Sequence, residues 1–420
     1  MNTQQEGALI DSHAFAYGGQ LGGVLQIDQN FSLKAVSYLS QRSNLLDQPT
    51  ALDPQLNKPI RYETSLVDSL HPKQQELALL GEIFLAYQNP HLLVQIGRML
   101  PKSALVNPQD GRMLPTFVQG AFSQWQVLAT FQLNAAIYDR IAPRNTGGFF
   151  EVGSSIGSYP QGVNALGKAN QNLDPLSAQA LIIAGLDWQI LKQLQYQAQF
   201  YQITGLQNTY FQEVQSHLSK DRFLISLGVM HLFQQGIGSK DTWWISKNHQ
   251  SQAISLYAGF RINPMKNFKI NHQFRHTDTS DFLFEIAFTQ ILNQDAFLFP
   301  REWGIEPFYT FLRRERSEGM ADLKAMMMAI GSSIFKKIQW RFAGAYLKTP
   351  SIQDFAINKY GLDDYIQSNV ELRYQADELL KNLSFDALFV YKKALDQITD
   401  AQRFNKLNLY QINLVLNYRF

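Results

Sequence analysis

Cysteine is absent from this 420-residue chain, so neither a disulfide framework nor a cysteine-based metal or redox centre can organise it. No run of 18 or more apolar residues occurs, which excludes transmembrane helices. Charge is sparse: Asp, Glu, Lys and Arg make up 17% of the residues, against roughly 25% in an ordinary soluble domain. The net charge is only +2 and there is no basic tail, so nucleic acid is not expected as a partner. The opening Met1-Asn-Thr-Gln-Gln-Glu has neither a positive segment nor an apolar core; no signal peptide is read there, which taken alone favours a cytoplasmic protein. The histidines lack metal-ligand spacing. His272 and His276 would sit on one face of a strand about 13 Å apart, too far for one ion, so neither metal nor cofactor is expected.

What the chain has is alternation. Aromatics reach 13%, with 29 Phe and 18 Tyr. In the last fourteen residues Tyr410, Ile412, Leu414, Leu416, Tyr418 and Phe420 fall on one face. Gln411, Asn413, Asn417 and Arg419 fall on the other, with Val415 the apolar exception. A period of two defines a strand, and this one is longer than the five or six residues usual in soluble sheets. Strands of 9–11 residues, tilted about 45°, cross a bilayer. Similar segments occur at 31–41, 76–87, 127–139, 178–189, 193–203, 252–262, 340–348, 365–377 and 383–394.

Short polar links at 28–30, 88–91, 219–221, 263–267 and 379–382 alternate with longer segments at 42–75, 99–115, 140–177 and 276–318. Tight turns on one side and long loops on the other describe an outer-membrane barrel. The fold class expected is therefore all-β, a transmembrane antiparallel β-barrel spanning 1–420 as one domain. Seventeen strands are counted. Since such barrels carry an even number, and the first strand (near 15–27) runs toward a short turn, one upward strand is expected to be missing from the start.

The segment Gly97–Pro115 spells GRMLP twice, with nine residues between the copies. Two copies do not make a solenoid; they read as the two feet of one loop between paired strands. The surrounding block, "LLVQIGRMLPKSALVNPQDGRMLPTFVQG", resembles the strand–loop–strand block of the OprD family of outer-membrane porins, through Pro101, Ala104-Leu105, Asp110 and Arg112-Met113-Leu114-Pro115. The segment 301–319, "REWGIEPFYTFLRRERSEG", is similar to a long late loop of that family, and Phe420 matches the C-terminal aromatic by which bacterial barrels are recognised for assembly.

The resemblance implies an 18-stranded channel in the bacterial outer membrane. It implies an inward-folded third loop, 99–115, a long extracellular loop, 276–318, and a ladder of basic side chains passing small solutes, typically carboxylates. Lipid, lipopolysaccharide and the barrel-assembly machinery are the partners it implies; monomer and trimer both stay open.

A channel needs fixed charge at a constriction rather than a nucleophile, and arginine suits carboxylates because its planar fork binds them bidentately. In the loop the candidates are Arg98, Lys102, Asp110 and Arg112. On the wall, alternation sets Arg261, Arg275, Arg341 and Arg373 opposite apolar neighbours, hence toward the lumen or a rim, since a charge facing lipid at mid-bilayer costs about 2–4 kcal/mol. Arg341 and Arg373 are favoured, with Glu371 on the same face as Arg373. Two other readings stay open: a sugar channel with an aromatic track drawn from Trp188, Trp243, Trp244 and Trp303, and a barrel-embedded hydrolase. For the latter, Gly153-Ser-Ser-Ile-Gly157 matches a nucleophile elbow around Ser155 but lacks the flanking strand and helix. The run Arg313–Glu318 reads as a solvated loop tip able to meet lipopolysaccharide phosphates.

Overall fold

The computed structural model describes residues 2–5, 12–43, 66, 71, 76–108, 113–158, 162, 174–264, 280–335, 337–397 and 407–420. In chain order the strands are β1 Asn2–Gln5, β2 Ser12–His13, β3 Phe15–Gln26, β4 Phe31–Ser43, β5 Glu76–Gln88, β6 Leu92–Met99, β7 Phe117–Leu128 and β8 Phe131–Ala142. After β9 Phe150–Glu151 and a single helical turn, α1 Val152–Ser155, come β10 Leu181–Leu191, β11 Leu194–Ile203, β12 Gln207–Lys220, β13 Phe223–Gly236 and β14 Gln250–Ile262. The remainder are β15 Phe282–Ile291, β16 Lys324–Ile334, β17 Ile338–Lys348, β18 Tyr365–Gln375, β19 Leu383–Ala394 and β20 Leu409–Tyr418.

All belong to one antiparallel sheet in which chain neighbours pair. The ring is joined through β1, which pairs with β20 (Asn2 opposite Ile412, Gln5 opposite Leu409) and with β2 (Asn2 opposite His13). The upward strand expected to be missing is thus represented by these four residues, and seventeen longer strands plus β1 give the eighteen of the barrel architecture. Below β1, the ladder neighbour of β3 is β4 and that of β20 is β19.

Burial is inverted relative to a soluble protein. On β14, Ser251, Ala253, Ser255, Tyr257 and Arg261 are buried while Ile254 and Leu256 are about half exposed, at 40% and 43%. On β16 the outward side chains are Met326, Met328 and Ile330. A sheet wetted by lipid outside and filled by polar groups and loops inside gives this pattern. Aromatic pairs mark the short-turn end: Phe31–Tyr87, Phe131–Trp188, Phe223–Phe260 and Tyr374–Phe385. Others mark the long-loop end: Phe200–Tyr210, Tyr210–Phe233 and Phe389–Tyr410. Two such belts are what interfacial girdles look like.

Turn chemistry is local. Asp28 accepts hydrogen bonds from the amides of Asn30 and Phe31 at 2.7 and 2.8 Å, and Asn89 accepts from His91 and Leu92 at 2.8 Å, closing Asx turns. Asp221, in the two-residue link between β12 and β13, adopts φ +52°, a conformation Asp tolerates.

Two boundaries around the loops differ from those read in the sequence. The segment 127–139 contains the turn between β7 and β8. β14 pairs directly with β15; the residues 268–275, with Arg275 and the two spaced histidines, lie outside the described ones. The loop expected at 276–318 contains β15 and actually runs from 292 to 323; the strand was hidden because "FLFEIAFTQI" has only Glu285 and Thr289 to mark its polar side.

Met328 lies outward at mid-strand. Replacing it with arginine is expected to cost about 2–4 kcal/mol of unfolding free energy in lipid vesicles; a loss under about 1 kcal/mol would contradict an outward, lipid-facing position.

Candidate functional site

The lumen is filled from the long-loop end by three segments that meet one another. Residues 100–108 reach across to β11: the amide of Ala104 donates to Gln199 Oε1 at 2.9 Å and that of Leu105 to the Tyr201 hydroxyl at 3.2 Å. Asn107 ties this segment to the 292–323 loop, its Nδ2 donating to the Ile305 carbonyl at 3.1 Å and its Oδ1 accepting from the Ile305 amide at 2.9 Å. A side chain at Gly304 would lie 2.0 Å from the Leu105 carbonyl, so only glycine permits this backbone approach. The third segment, around α1, joins through Trp303 Nε1, which donates to Ser155 Oγ at 2.9 Å, and through the Gly157 amide, which donates to Glu302. Thr116, at the second foot of the GRMLP loop, donates to the Glu302 carbonyl at 3.0 Å.

The 292–323 loop carries its own small core of Phe297, Phe299, Trp303, Phe308 and Leu312, all buried. It is clamped to the wall along its length. Gln234 and Leu298 exchange two hydrogen bonds, Thr310 donates to Thr289, and the Tyr309 hydroxyl donates to Glu213 at 2.6 Å. Tyr309 reaches that carboxylate over Gly228, where a Cβ would meet the hydroxyl at 2.3 Å. The carbonyl of Arg313 accepts from Gln367 at 2.8 Å and Asn369 at 3.1 Å, while Glu315 is held by Tyr365 at 2.6 Å and Lys392 at 3.0 Å.

The run Arg313–Glu318 is therefore not a solvated tip. Glu315, Ser317 and Glu318 are buried because each finds a partner inside the barrel: Glu318 takes Lys359 at 2.7 Å and the Tyr360 hydroxyl at 2.9 Å, and Ser317 donates its amide to Glu306. The aromatic density of "EPFYTFL" just before the run was the available signal.

Between this loop and β3, β19 and β20 lies a cavity of about 410 Å³. Arg144, Arg301, Arg313, Arg314 and Arg316 line one side; Phe15, Tyr17, Asp386, Asn413 and Asn417 are on the others. Arg144 and Arg301 are buried behind it, whereas Arg313, Arg314 and Arg316 are partly exposed to it. Arg314 donates to the Asn413 amide oxygen at 2.6 Å when that amide is oriented to accept. Burial, and next the charge of Arg301, push Arg316 down to about 10. For Arg301 burial also opposes the charge, but Tyr360, Glu318 and further carboxylates outweigh it and hold the group above its ordinary value.

The basic residues expected to line the path sort differently. Arg341 and Arg261 do face inward, but both pair with Glu285: Arg341 Nη2 lies 3.0 Å from one carboxylate oxygen and Arg261 Nη2 3.3 Å from the other, with the Tyr257 hydroxyl donating at 2.8 Å. Glu371 lies 3.9 Å from Arg341, so it serves that arginine, while Arg373 is paired with Asp386 at 2.5 Å.

Arg98 shares a face with its ladder partner Ile83, an exposed outer residue. Its guanidinium stacks on Phe149 at 4.5 Å and donates to Gln119, which places it at the rim. Lys102 sits 5.4 Å from the Phe122 ring, and partial burial, then Lys34, hold it below the usual lysine range. Asp110 and Arg112 lie outside the described residues. Glu285 was not singled out from the sequence, and Arg313, Arg314 and Arg316 were read there as part of a solvated tip.

Inverted burial, two aromatic belts and inward-packed loops define an outer-membrane β-barrel fold. No protein-family model matches the sequence, and no curated protein matches it. Among solved structures, the chain is similar to OccAB4 of Acinetobacter baumannii, with a TM-score of 0.71 and 14% identity over 99% of this chain and 94% of that one. It is similar to the outer membrane protein OpdK of Pseudomonas aeruginosa, with a TM-score of 0.70 and 12% identity over 99% and 95%. A structure of that protein with vanillate gives 0.71 and 12% over the same shares. In architecture this is the fold of the OprD/Occ outer-membrane porins.

Glu285→Gln should leave two buried guanidiniums short of charge and cost about 3–5 kcal/mol in equilibrium unfolding. Arg373→Ala, breaking a partly exposed pair, should cost under about 1 kcal/mol. Equal effects would contradict the assignment of Glu285 as the hub.

Proposed function

We propose that this protein is a bacterial outer-membrane channel for passive, substrate-selective diffusion of small hydrophilic solutes, with a preference for those bearing a carboxylate. The observation that carries this reading is the cluster of arginines on the lumenal loop, beside a small-molecule-sized cavity, while the wall arginines are neutralised by carboxylates. Fixed guanidinium charge attracts carboxylates, and a lumen open to water keeps the attraction weak enough for release. Lys102 extends the basic path, Arg112 and Arg275 are further candidates for it, and Asp110 is a candidate for a facing acid at the constriction. The segment 100–108, reaching the far wall, supports the inward constriction expected of the 99–115 loop. Phe420, 92% exposed at the chain end, is available to the assembly machinery, and the apolar outer face suits lipid.

The aromatic residues considered for a sugar track are occupied otherwise. Trp188 lies on the outer surface beside Phe131, Trp303 donates to Ser155, and Trp243 donates to the Asp174 carbonyl. Ser155 is fully buried, and its hydroxyl donates to Val152 while accepting from Trp303, which supports a structural role rather than a hydrolytic one.

In planar bilayers under a KCl gradient the protein should show an anion-selective zero-current potential. Replacing Arg313, Arg314 and Arg316 together by Gln should move that potential toward zero, whereas Arg341→Ala should change stability more than selectivity. Cation selectivity of the unaltered protein, or no conducting pore from folded protein, would overturn the proposal.

A further inference from the structure

Between β3 and β20 the sheet has a seam at which, among the described residues, the facing edge of each strand has no ladder partner. β1 fills only the long-loop end of it, pairing with β20 over 409–412 and with β2 at Ser12 and His13. Below β1, Phe15–Gln26 pair with β4 alone and 413–418 pair with β19 alone. β3 and β20 both run from the long-loop end toward the short-turn end. A single strand running the other way, as β1 does, is therefore antiparallel to both. Open amides and carbonyls are costly at membrane depth, and an open edge is a template for strand addition.

The register of β1 aligns the two edges. Asn2 lies between Ile412 and His13; carried down the seam, that register sets Leu414 level with Phe15, Leu416 with Tyr17 and Tyr418 with Gly19. The next outward pair is Phe420 and Leu21, and these two do line one cavity of about 570 Å³, together with Gly19 and Gln20. Leu21 and Leu414 are 72% and 73% exposed, against 52% and 54% for Met326 and Met328 on a strand with two neighbours. A Cβ at Gly19 would meet nothing within 4 Å. On the lumenal side Asn417 donates to Asp386 at 3.1 Å, and Asn413 accepts from Arg314 at 2.6 Å when its amide is oriented to do so. The seam is thus apolar outside, with a notch at Gly19, and polar inside.

We propose that this seam is a docking site for an amphipathic β-strand of another polypeptide, which adds below β1 and pairs with both edges. Its direction follows that of β1, with its N-terminal end at the short turns and its C-terminal end toward the long loops. Six residues match 413–418, about 20 Å of strand at roughly 3.3 Å per residue. Alternate residues, those facing lipid, are apolar, with an aromatic one beside Gly19, where a ring covers the bare backbone of an edge glycine. The residues between them are polar and meet Asn413, Asn417, Arg314 and Asp386. Main-chain hydrogen bonds supply the affinity and the alternation supplies the specificity. The site continues the β1–β20 ladder, so the added strand extends a pairing already present.

The test is backbone amide hydrogen exchange of the full chain, folded in dodecyl maltoside micelles, with and without a synthetic strand. The probe is the peptide YQINLVLNY, the sequence of 410–418, which alternates and carries an aromatic residue at each end. Amides in 15–19 and 413–418 that exchange fast in the protein alone should slow by about tenfold or more when the peptide is added. Those of β14 and β16 should not change. A peptide of the same composition with its apolar residues placed together should leave the seam amides fast. Gly19→Trp fills the notch; it should keep the exchange pattern of β14, which reports an intact barrel, and weaken the protection given by the peptide. No protection from the alternating peptide, equal protection from both peptides, or full protection surviving in Gly19→Trp would overturn the proposal. Seam amides as slow as those of β14 before any peptide is added would overturn it too, because lipid-like detergent or the edges themselves would then cover the seam.

Discussion

Backbone hydrogen bonding in hydrocarbon is the constraint from which the rest of this structure follows. An unpaired amide or carbonyl in lipid costs several kcal/mol, so the strands pair with their chain neighbours in one antiparallel ladder, with β3 and the second half of β20 each keeping one neighbour among the described residues. A ladder forces side chains to alternate. Facing lipid outward, the sheet must turn its polar residues inward, and the interior acquires Ser251, Ser255, Glu213, Glu285, Arg261 and Arg341. Such an interior needs polar partners, and the long loops supply them. The 292–323 loop enters the lumen with its own apolar core and is fastened by hydroxyl, carboxamide and carboxylate groups of the wall.

Two kinds of arginine result. Those on strands are set by the ladder and balanced by acids on adjacent strands, as in Arg261–Glu285–Arg341 and Arg373–Asp386. Wall charge of this kind is nearly neutral in sum and contributes mainly to holding the barrel's shape. In the 292–323 loop the wall fixes the Arg313 carbonyl, and Arg313, Arg314 and Arg316 line the cavity. On the function proposed above, solute recognition falls to a loop and structural integrity to the wall, a division common where a rigid scaffold presents functional loops.

The strands were legible because alternation needs only local information. The run from Tyr410 to Phe420 declares its two faces without any partner, and Asp28-Gln29-Asn30 announces its turn. The feet of the GRMLP loop were legible too, since β6 ends at Met99 and β7 begins at Phe117. Charge partnership was not. Glu285 lies 24 residues from Arg261 and 56 from Arg341, and only barrel register brings the three together. The run Arg313–Glu318 looked solvated because six polar residues in succession usually are; its burial depends on Lys392, Lys359 and Tyr365, all distant in the chain. β1 was missed because four polar residues, Asn2–Gln5, carry no alternation and form a strand through their pairing with β20 and β2.

That the Arg313–Arg316 segment lines the conducting path is the central claim, and the absence of cysteine allows it to be examined directly. With Arg314→Cys as the sole cysteine, a small anionic thiol reagent applied during single-channel recording should shift the pore away from anion selectivity in discrete steps, and a cationic reagent should restore it. Complete labelling of that cysteine with no change in conductance or selectivity would contradict the account.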